Sequence, residues 1–482
     1  MSQPMPPVAL YLHLPFCVAR CPYCDFVVYA GGDARGPRAR TDRLYEAVGR
    51  ELELRADALD DRFGLPQPAP AAGSAPADAD ATAAGSAPAA GSAPAAADAT
   101  ALAAGPAPAA GPATADATAA GSAPAAGSAP AAADATALRF RPPLQSVYVG
   151  GGTPSLVPAE RLERLMAIVR ARFGVASGAE VTLEANPGPD ERGDLAAFHR
   201  AGVTRISFGA QSMDAVELRR LGRRHSPEDV GTSVAAARAA GIGSVSLDLL
   251  YDVPGGSVAA WEATLRAALA LAPDHLSLYA LTLDDPDAEG LTGRDGDHLP
   301  TPQGARRWRE RARLDQDDDR AADQYRSATD LLAAGGWHAY EISNWARPGH
   351  ESRHNLAYWE RRPYEAVGPG AHAFDGVTRR WNAAAMEPYL AALAPAGGAA
   401  TEPAGGLETL NDEIVASERL ILALRLDRGV PAAWAERGPL ADARGWAESA
   451  GLLEAVDIDG EPRLRLTVRG RLLSNELFRR LV

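Results

Sequence analysis

Three cysteines, Cys17, Cys21 and Cys24, carry all the thiol chemistry of this 482-residue chain, and they stand together in LHLPFCVARCPYCDF (12–26). The spacing C-x3-C-x2-C suits metal ligation better than a disulfide, because clustered thiols in a reducing cytosol more often hold metal. A structural zinc ion wants four ligands, and only His13 lies close, four residues before Cys17 and inside an apolar, β-rich run. Three thiolates do satisfy three irons of a cubane cluster, which leaves the fourth iron open to a ligand from outside the chain.

A second signal is VYVGGGTPSL (147–156), in which three glycines directly follow an apolar run. Without a Cβ, backbone there can approach a ligand closely. By itself such a triplet is an ordinary strand-to-helix turn. It is joined, however, by Glu184 in LEANPG, Gln211 in GAQS, Arg223 in RRLGRRH and Asp248 in SLDLLYDVPG. Singly, each of these would serve as a loop cap or ion-pair partner. Three of them fall at or just beyond the C-terminal ends of expected parallel strands, where α/β folds gather their ligand sites.

The elements that would position these residues alternate regularly. VALYLHL (8–14), LQSVYVG (144–150), EVTLEA (180–185), TRISFGA (204–210), SVSLDLLY (244–251) and DHLSLYALT (274–282) are β-rich. Between them, 41–60, 158–173, 190–201, 226–240 and 257–271 have helical spacing. Strand followed by helix, repeated about six times, implies a parallel sheet built from βα units, either a barrel or an open doubly wound sheet. A helix near 321–335 and a further strand at 337–343 are expected next. From about 410 the texture becomes helical and ends in a tail that resembles a small winged-helix-like domain, read as a docking or structural module.

One interruption breaks this order. From about 66 to 138 the composition collapses to Ala, Gly, Ser, Pro, Asp and Thr, and ADATAAGSAPAAGSAPAAADATAL occurs identically at 79–102 and 115–138. The repeat has almost no large apolar residue with which to build a core, so a disordered insertion is expected. The expected organisation is therefore a first βα unit with the cysteine loop (1–65), the insertion (66–138), the remainder of the barrel (139–345), a connecting region (346–409) and a C-terminal helical domain (410–482).

Composition narrows the function. A net charge of -14 and a pI near 5.2 argue against general nucleic-acid binding, and point to small ligands or protein partners. Every basic residue is Arg; the absence of Lys excludes P-loop and Schiff-base lysines. No run is long and apolar enough to span a bilayer, and nothing near the first residues reads as an export signal. A cytoplasmic location is the expectation.

Taken in order, the cysteine motif with an aromatic residue before its last cysteine, GGGTP, EANPG, FGAQS and LDLLYDVPG resemble the radical S-adenosylmethionine proteins of the coproporphyrinogen-dehydrogenase-like branch. The resemblance covers about 8–62 and 140–482. It implies an α/β fold, a partial (β/α)6 barrel with a small C-terminal domain. It also implies a 4Fe-4S cluster on Cys17, Cys21 and Cys24, with S-adenosylmethionine at the open iron. Tyr11 and Tyr23 would flank that cofactor, Gly151, Gly152 and Thr153 would meet its methionyl side, and Glu184, Gln211, Arg223 and Asp248 would hold it by hydrogen bonds.

Two features favour the heme-chaperone group of that branch. Asp25-Phe26 follows the third cysteine where the catalytic relatives usually carry a further cysteine, and RHNLAYWERR (353–362) contains the group's H-N-x-x-Y-W signature. The resemblance then implies heme as cargo, client hemoproteins of respiration, an electron donor for the cluster, and transient contact with membrane proteins. His354 is the first candidate for a heme contact, with Tyr358 and Trp359 as aromatic surface; His372 in GPGAHAF is the second, and reads more readily as a loop residue that supports the barrel opening. The bland reading of His354 is a hydrogen-bonded packing residue. Oxygen-independent oxidation of coproporphyrinogen III is the catalytic alternative. The run RRWRERARLDQDDDR (306–320) reads as a solvated mixed-charge face or flexible loop without assigned function.

Overall fold

The structure is a computed structural model that describes residues 3–34, 39–67, 140–393 and 399–482. The low-complexity stretch expected at 66–138 lies, from residue 68 onward, outside the described residues. Its flanks do not: Leu65–Pro66 pairs in parallel with Phe140–Arg141.

Six parallel strands form the centre of the fold: β1 (Ala9–Leu14), β2 (Leu144–Gly151), β3 (Val175–Ala185), β4 (Arg205–Gln211), β5 (Ser244–Tyr251) and β6 (His275–Ala280). They neighbour one another in chain order and are all parallel. This is the arrangement of a partial (β/α)6 barrel. Intervening helices bury one apolar stripe each. Pro227–Ala239, for example, opens with a Ser226/Asp229 capping box, carries Pro at its first turn and buries Val230, Val234 and Ala237.

The strands also explain why the interior is polar. Successive side chains point to opposite faces, and on every strand the branched apolar residues take one phase: Leu10 and Leu12, Val147 and Val149, Ile206 and Phe208, Leu276 and Leu278 are buried in the main core. The other phase supplies Tyr11, Tyr148, Glu184, Ser207, Asp248 and Ser277.

The sheet extends on both sides. Beyond β6 lie short antiparallel strands, β7 (His338–Ala339) and β8 (Asn344–Ala346), in place of the single strand expected at 337–343. Beyond β1 lie β9 (Tyr364–Val367), parallel to it, then β10 (His372–Phe374), β11 (Thr378–Asn382) and β12 (Gly405–Thr409) in an antiparallel ladder. The region 346–409, expected as a connection, thus contributes four strands to the main sheet. The C-terminal part has its own core around Leu424, Leu464, Leu477 and Leu481, joined from the barrel side by Ile342. It is not purely helical: Leu453–Ile458 and Glu461–Leu466 form a hairpin, with Val430–Pro431 as third strand.

Candidate functional site

The cysteine loop leaves the C-terminal end of β1 and folds over the barrel mouth, fastened by the turn after β2. Gly152 N–H donates to Leu14 O at 3.0 Å and Thr153 N–H to Phe16 O at 2.7 Å. The strands are so close that a Cβ on Gly152 would stand 2.7 Å from Phe16 O, and Gly151 has a φ of +120°. Glycine is required at both positions on these grounds.

The three thiols are unpaired and half-buried. Thr153 Oγ1 donates to Cys17 Sγ at 3.4 Å, and Arg223 Nη1 donates to Cys21 Sγ at the same distance. Burial pushes the Cys17 thiol up to about 11, and desolvation raises Cys24 further. A cation that displaces these protons would meet soft thiolate donors. Tyr23 lies half-buried beside Cys21, its ring 6.3 Å from that of Trp308.

Behind the loop, Arg223 spans the site. One amino group reaches Cys21; the other donates to Gly209 O at 2.8 Å and to Asn186 Oδ1. Its Nε is buried with no partner among the described residues, a donor left over for a ligand. Gln211 closes β4 in the left-handed region, φ 65°, and its Nε2 would stand 2.9 Å from a Cβ on Gly209. Gln211 and Arg223 thus share one corner of the mouth.

Two carboxyls lie deeper. Glu184 accepts from Tyr148 OH at 2.9 Å and from Gly151 N–H at 3.0 Å, and desolvation carries it up to about 7. Asp248 accepts from Ser207 Oγ at 3.0 Å and is likewise raised by burial, with its hydrogen bonds opposing. Asp248 adds to the rise of Glu184, while Arg205 and Arg223 partly offset that of Asp248; neither carboxyl has an ion-pair partner among the described residues. Such a pair favours a cationic guest. Tyr11 OH bonds His13 Nδ1 at 3.0 Å, its ring 6.0 Å from Tyr148. All the residues expected around the methionyl and adenosyl ends of a cofactor therefore line one mouth and interior.

Three contributors were not foreseen. Asn186 donates to Thr153 Oγ1 and Glu191 and accepts from Arg223; its signal was the EANPG loop already quoted. Tyr148 precedes the glycines by two residues. Arg309 corrects the reading of 306–320: the segment spans most of the helix Gln303–Arg313, a turn and the start of the helix Asp318–Ala334, and Arg309 is only 2% exposed. It donates to Pro22 O at 3.2 Å, Tyr23 O at 3.3 Å and Cys24 O at 3.0 Å, and also to Asp284 O. It clamps the cysteine loop through its carbonyls.

His354 departs from expectation. It lies on Arg353–Trp359, beneath the barrel, where Glu180 in the middle of β3 accepts from its backbone N–H. The ring is 1% exposed, with Nδ1 3.1 Å from Ser146 Oγ and Nε2 2.8 Å from Tyr358 OH. Desolvation carries it down to about 3, so it is neutral. Its ring centroid is 5.0 Å from that of Tyr148, the residue that holds Glu184. Trp359 stacks under Arg425, 4.5 Å away, toward the C-terminal domain. With both nitrogens engaged and no exposure, His354 has no free donor for heme iron here; the packing alternative describes its geometry, and the H-N-x-x-Y-W segment forms a floor. His372, by contrast, stands at the mouth with its side chain 42% exposed.

Comparison with known proteins agrees with this architecture. The Radical SAM superfamily model matches residues 131–268. The chain is 34% identical over 482 residues to the heme chaperone HemW of Mycobacterium tuberculosis, covering 99% of this chain and 96% of that protein. With HemW of Bacillus subtilis it shares 33% identity over 343 residues, 70% of this chain and 85% of the relative. Among solved structures, the Escherichia coli coproporphyrinogen III oxidase HemN, a radical SAM enzyme, superposes with a TM-score of 0.65 at 19% identity, over 99% of this chain and 91% of that one. That likeness extends to the fold. The chain belongs to the HemW heme chaperone family of the radical SAM superfamily.

Proposed function

We propose that the protein is a heme chaperone that carries a 4Fe-4S cluster on Cys17, Cys21 and Cys24, binds S-adenosylmethionine beside it, and delivers heme to client hemoproteins of respiration. The observation that carries the cofactor part is the convergence of three unpaired thiols with Arg223, Gly151 and Glu184 at one mouth. The heme part draws on the names of the full-length relatives.

In this reading the chain's own groups divide the work. The thiolates hold three irons, and Thr153 and Arg223 donate to their sulfurs, which lowers the electron density there. Arg223 Nε is free to pair with a carboxylate. Glu184 accepts from an ammonium group, and Asp248 from ribose hydroxyls. Tyr11 and Tyr23 close the sides, Gly151, Gly152 and Thr153 keep the backbone close, and Gln211 fixes the Arg223 corner. Arg309 holds the loop that bears the cysteines. Together the bound groups supply one-electron cleavage of a sulfonium, fed by an external electron donor. No helix among the described residues is long and apolar enough to cross a membrane; contact with membrane-bound clients would be transient, and the protein would work in the cytoplasm.

The test is anaerobic incubation of cluster-reconstituted protein with heme and, separately, with coproporphyrinogen III, S-adenosylmethionine and reductant. Saturable heme binding without carbon dioxide release is expected. Decarboxylation of coproporphyrinogen III in the absence of heme binding would replace this reading with the catalytic one.

A further inference from the structure

We infer that heme iron is held at the barrel mouth by His372, with Asp297 behind the imidazole and Trp381 against its face; this inference rests on the heme-binding reading above. The first ground is a census of the chain's nine histidines. His13, His275 and His354 are buried with both ring nitrogens hydrogen-bonded. His225 is buried against Ala210 O. His199, His338 and His350 sit at the opposite end of the barrel. His199 bonds Val203 O just before β4, His350 bonds Ser244 Oγ at the start of β5, and His338 pairs with Ala346, itself opposite the first residue of β6. Only His298 and His372 combine a free nitrogen with a place beside the cysteine loop.

The second ground is how that pair is built. Asp297, with its side chain 12% exposed, accepts from His298 Nδ1 and from His372 Nε2, both at 2.9 Å. An imidazole that donates one N–H to a carboxylate has its tautomer fixed, and its remaining lone pair is a stronger donor to metal. The side chain of His372 is 42% exposed and that of His298 21%, so His372 is the accessible member. Its ring stacks on Trp381 at 5.9 Å with an interplanar angle of 19°, and Trp381 Nε1 in turn donates to Asp295 O.

The surroundings suit a porphyrin. Phe26, next to the cluster loop, is 60% exposed. Its neighbour Val27 closes on Gly370, where a Cβ would meet Val27 Cγ2 at 2.7 Å and Asp297 O at 3.1 Å. Arg294, on the same loop as Asp297, is exposed and has no ion pair among the described residues, leaving a cation for a propionate. A single imidazole at an exposed rim also leaves the far side of the iron open to a client's ligand, as handover requires.

The test is a titration of the full-length, cluster-reconstituted chain with ferric heme, followed by Soret absorption and magnetic circular dichroism. The wild type should show imidazole coordination. His372→Ala should abolish that signature and weaken binding at least tenfold; Asp297→Asn should weaken it by about tenfold, the usual cost of losing the partner behind a ligating histidine. His338→Ala, at the other end, should match the wild type. An unchanged spectrum in His372→Ala, with loss of the signature in His298→Ala, would overturn the assignment to His372. An unchanged spectrum in both would overturn the mouth as the heme site. Failure of the wild type to bind heme would instead refute the chaperone reading itself.

Discussion

The two ends of this barrel use the same residue types and account for them in opposite ways. At the floor, the buried histidines and Arg205 are paired, while Thr182 Oγ1 and Trp359 Nε1 are buried without a partner among the described residues. His354 bonds Ser146 and Tyr358, His275 bonds Ser246 and Tyr340, and Arg205 donates to Ser244 Oγ and His350 O. At the mouth they are left incomplete. Arg223 Nε lacks a partner, Glu184 and Asp248 are held toward their protonated forms with no ion pair among the described residues, and His372 keeps one nitrogen free. Because an unpaired buried polar group costs about 1–3 kcal/mol, a fold keeps such groups where a ligand completes them. The signature segment H-N-x-x-Y-W lies at the floor, where both ring nitrogens of its histidine are hydrogen-bonded and the ring packs against Tyr148, which holds Glu184.

The contrast can be broken most severely at the thiols. Cys21→Ser should reduce iron after anaerobic reconstitution from about four per chain to near background, by colorimetric iron assay. Unchanged iron content would remove the mouth's assigned role. Next comes the floor: His354→Ala should lower unfolding stability by about 2–4 kcal/mol, from the cavity and the stranded hydroxyls of Ser146 and Tyr358. Denaturant melts measure this. Imidazole coordination of heme should persist in whatever fraction is folded; its loss there would return the heme site to the floor.

Arg309→Gln should cost about 1–3 kcal/mol by stranding the carbonyls of residues 22 to 24. It should also speed iron loss to a chelator, since the cysteine loop loses its clamp. Equal chelation rates in variant and wild type would show that Arg309 does not hold the cysteine loop against iron loss. The smallest effect is a pH dependence. Glu184, with a carboxyl near 7 against an ordinary 4.5, should bind a cationic ligand better as pH rises from 6 to 8 and it ionises. Affinity for S-adenosylmethionine, by calorimetry, should rise by about threefold to tenfold, and Glu184→Gln should flatten the rise. For stability the sign is reversed: the folded state holds this proton more tightly than the unfolded chain, so the group's contribution is lost as pH climbs from 4.5 through about 7.

How legible this was in the sequence follows from the physics of each element. The six central strands were readable because burial on one face demands apolar residues at alternate positions of short β-rich runs, and the helices between them have long apolar stripes. The cysteine loop and glycine turn were readable because their chemistry tolerates few residues. β9 to β12 were not, because they are short and carry paired charges such as Glu365 with Arg380 and Arg379 with Glu408. In the C-terminal domain the hairpin did leave a sign: Asp459-Gly460, both with positive φ, is the dipeptide of a tight two-residue turn. Arg309 was hidden in an arginine-rich run where burial of one member leaves no compositional mark. His354 shows the same limit: a motif names residues, and only packing tells whether a ring faces a ligand or a neighbour.

The chaperone reading is tested most directly by heme transfer. Full-length, cluster-reconstituted protein loaded with heme is mixed anaerobically with a heme-free respiratory hemoprotein, and the Soret bands of both are followed. The account predicts loss of heme from this chain and matching gain by the acceptor, slowed in His372→Ala through poor loading. Heme that stays in place, together with oxidative decarboxylation of coproporphyrinogen III under the same reductant, would contradict it.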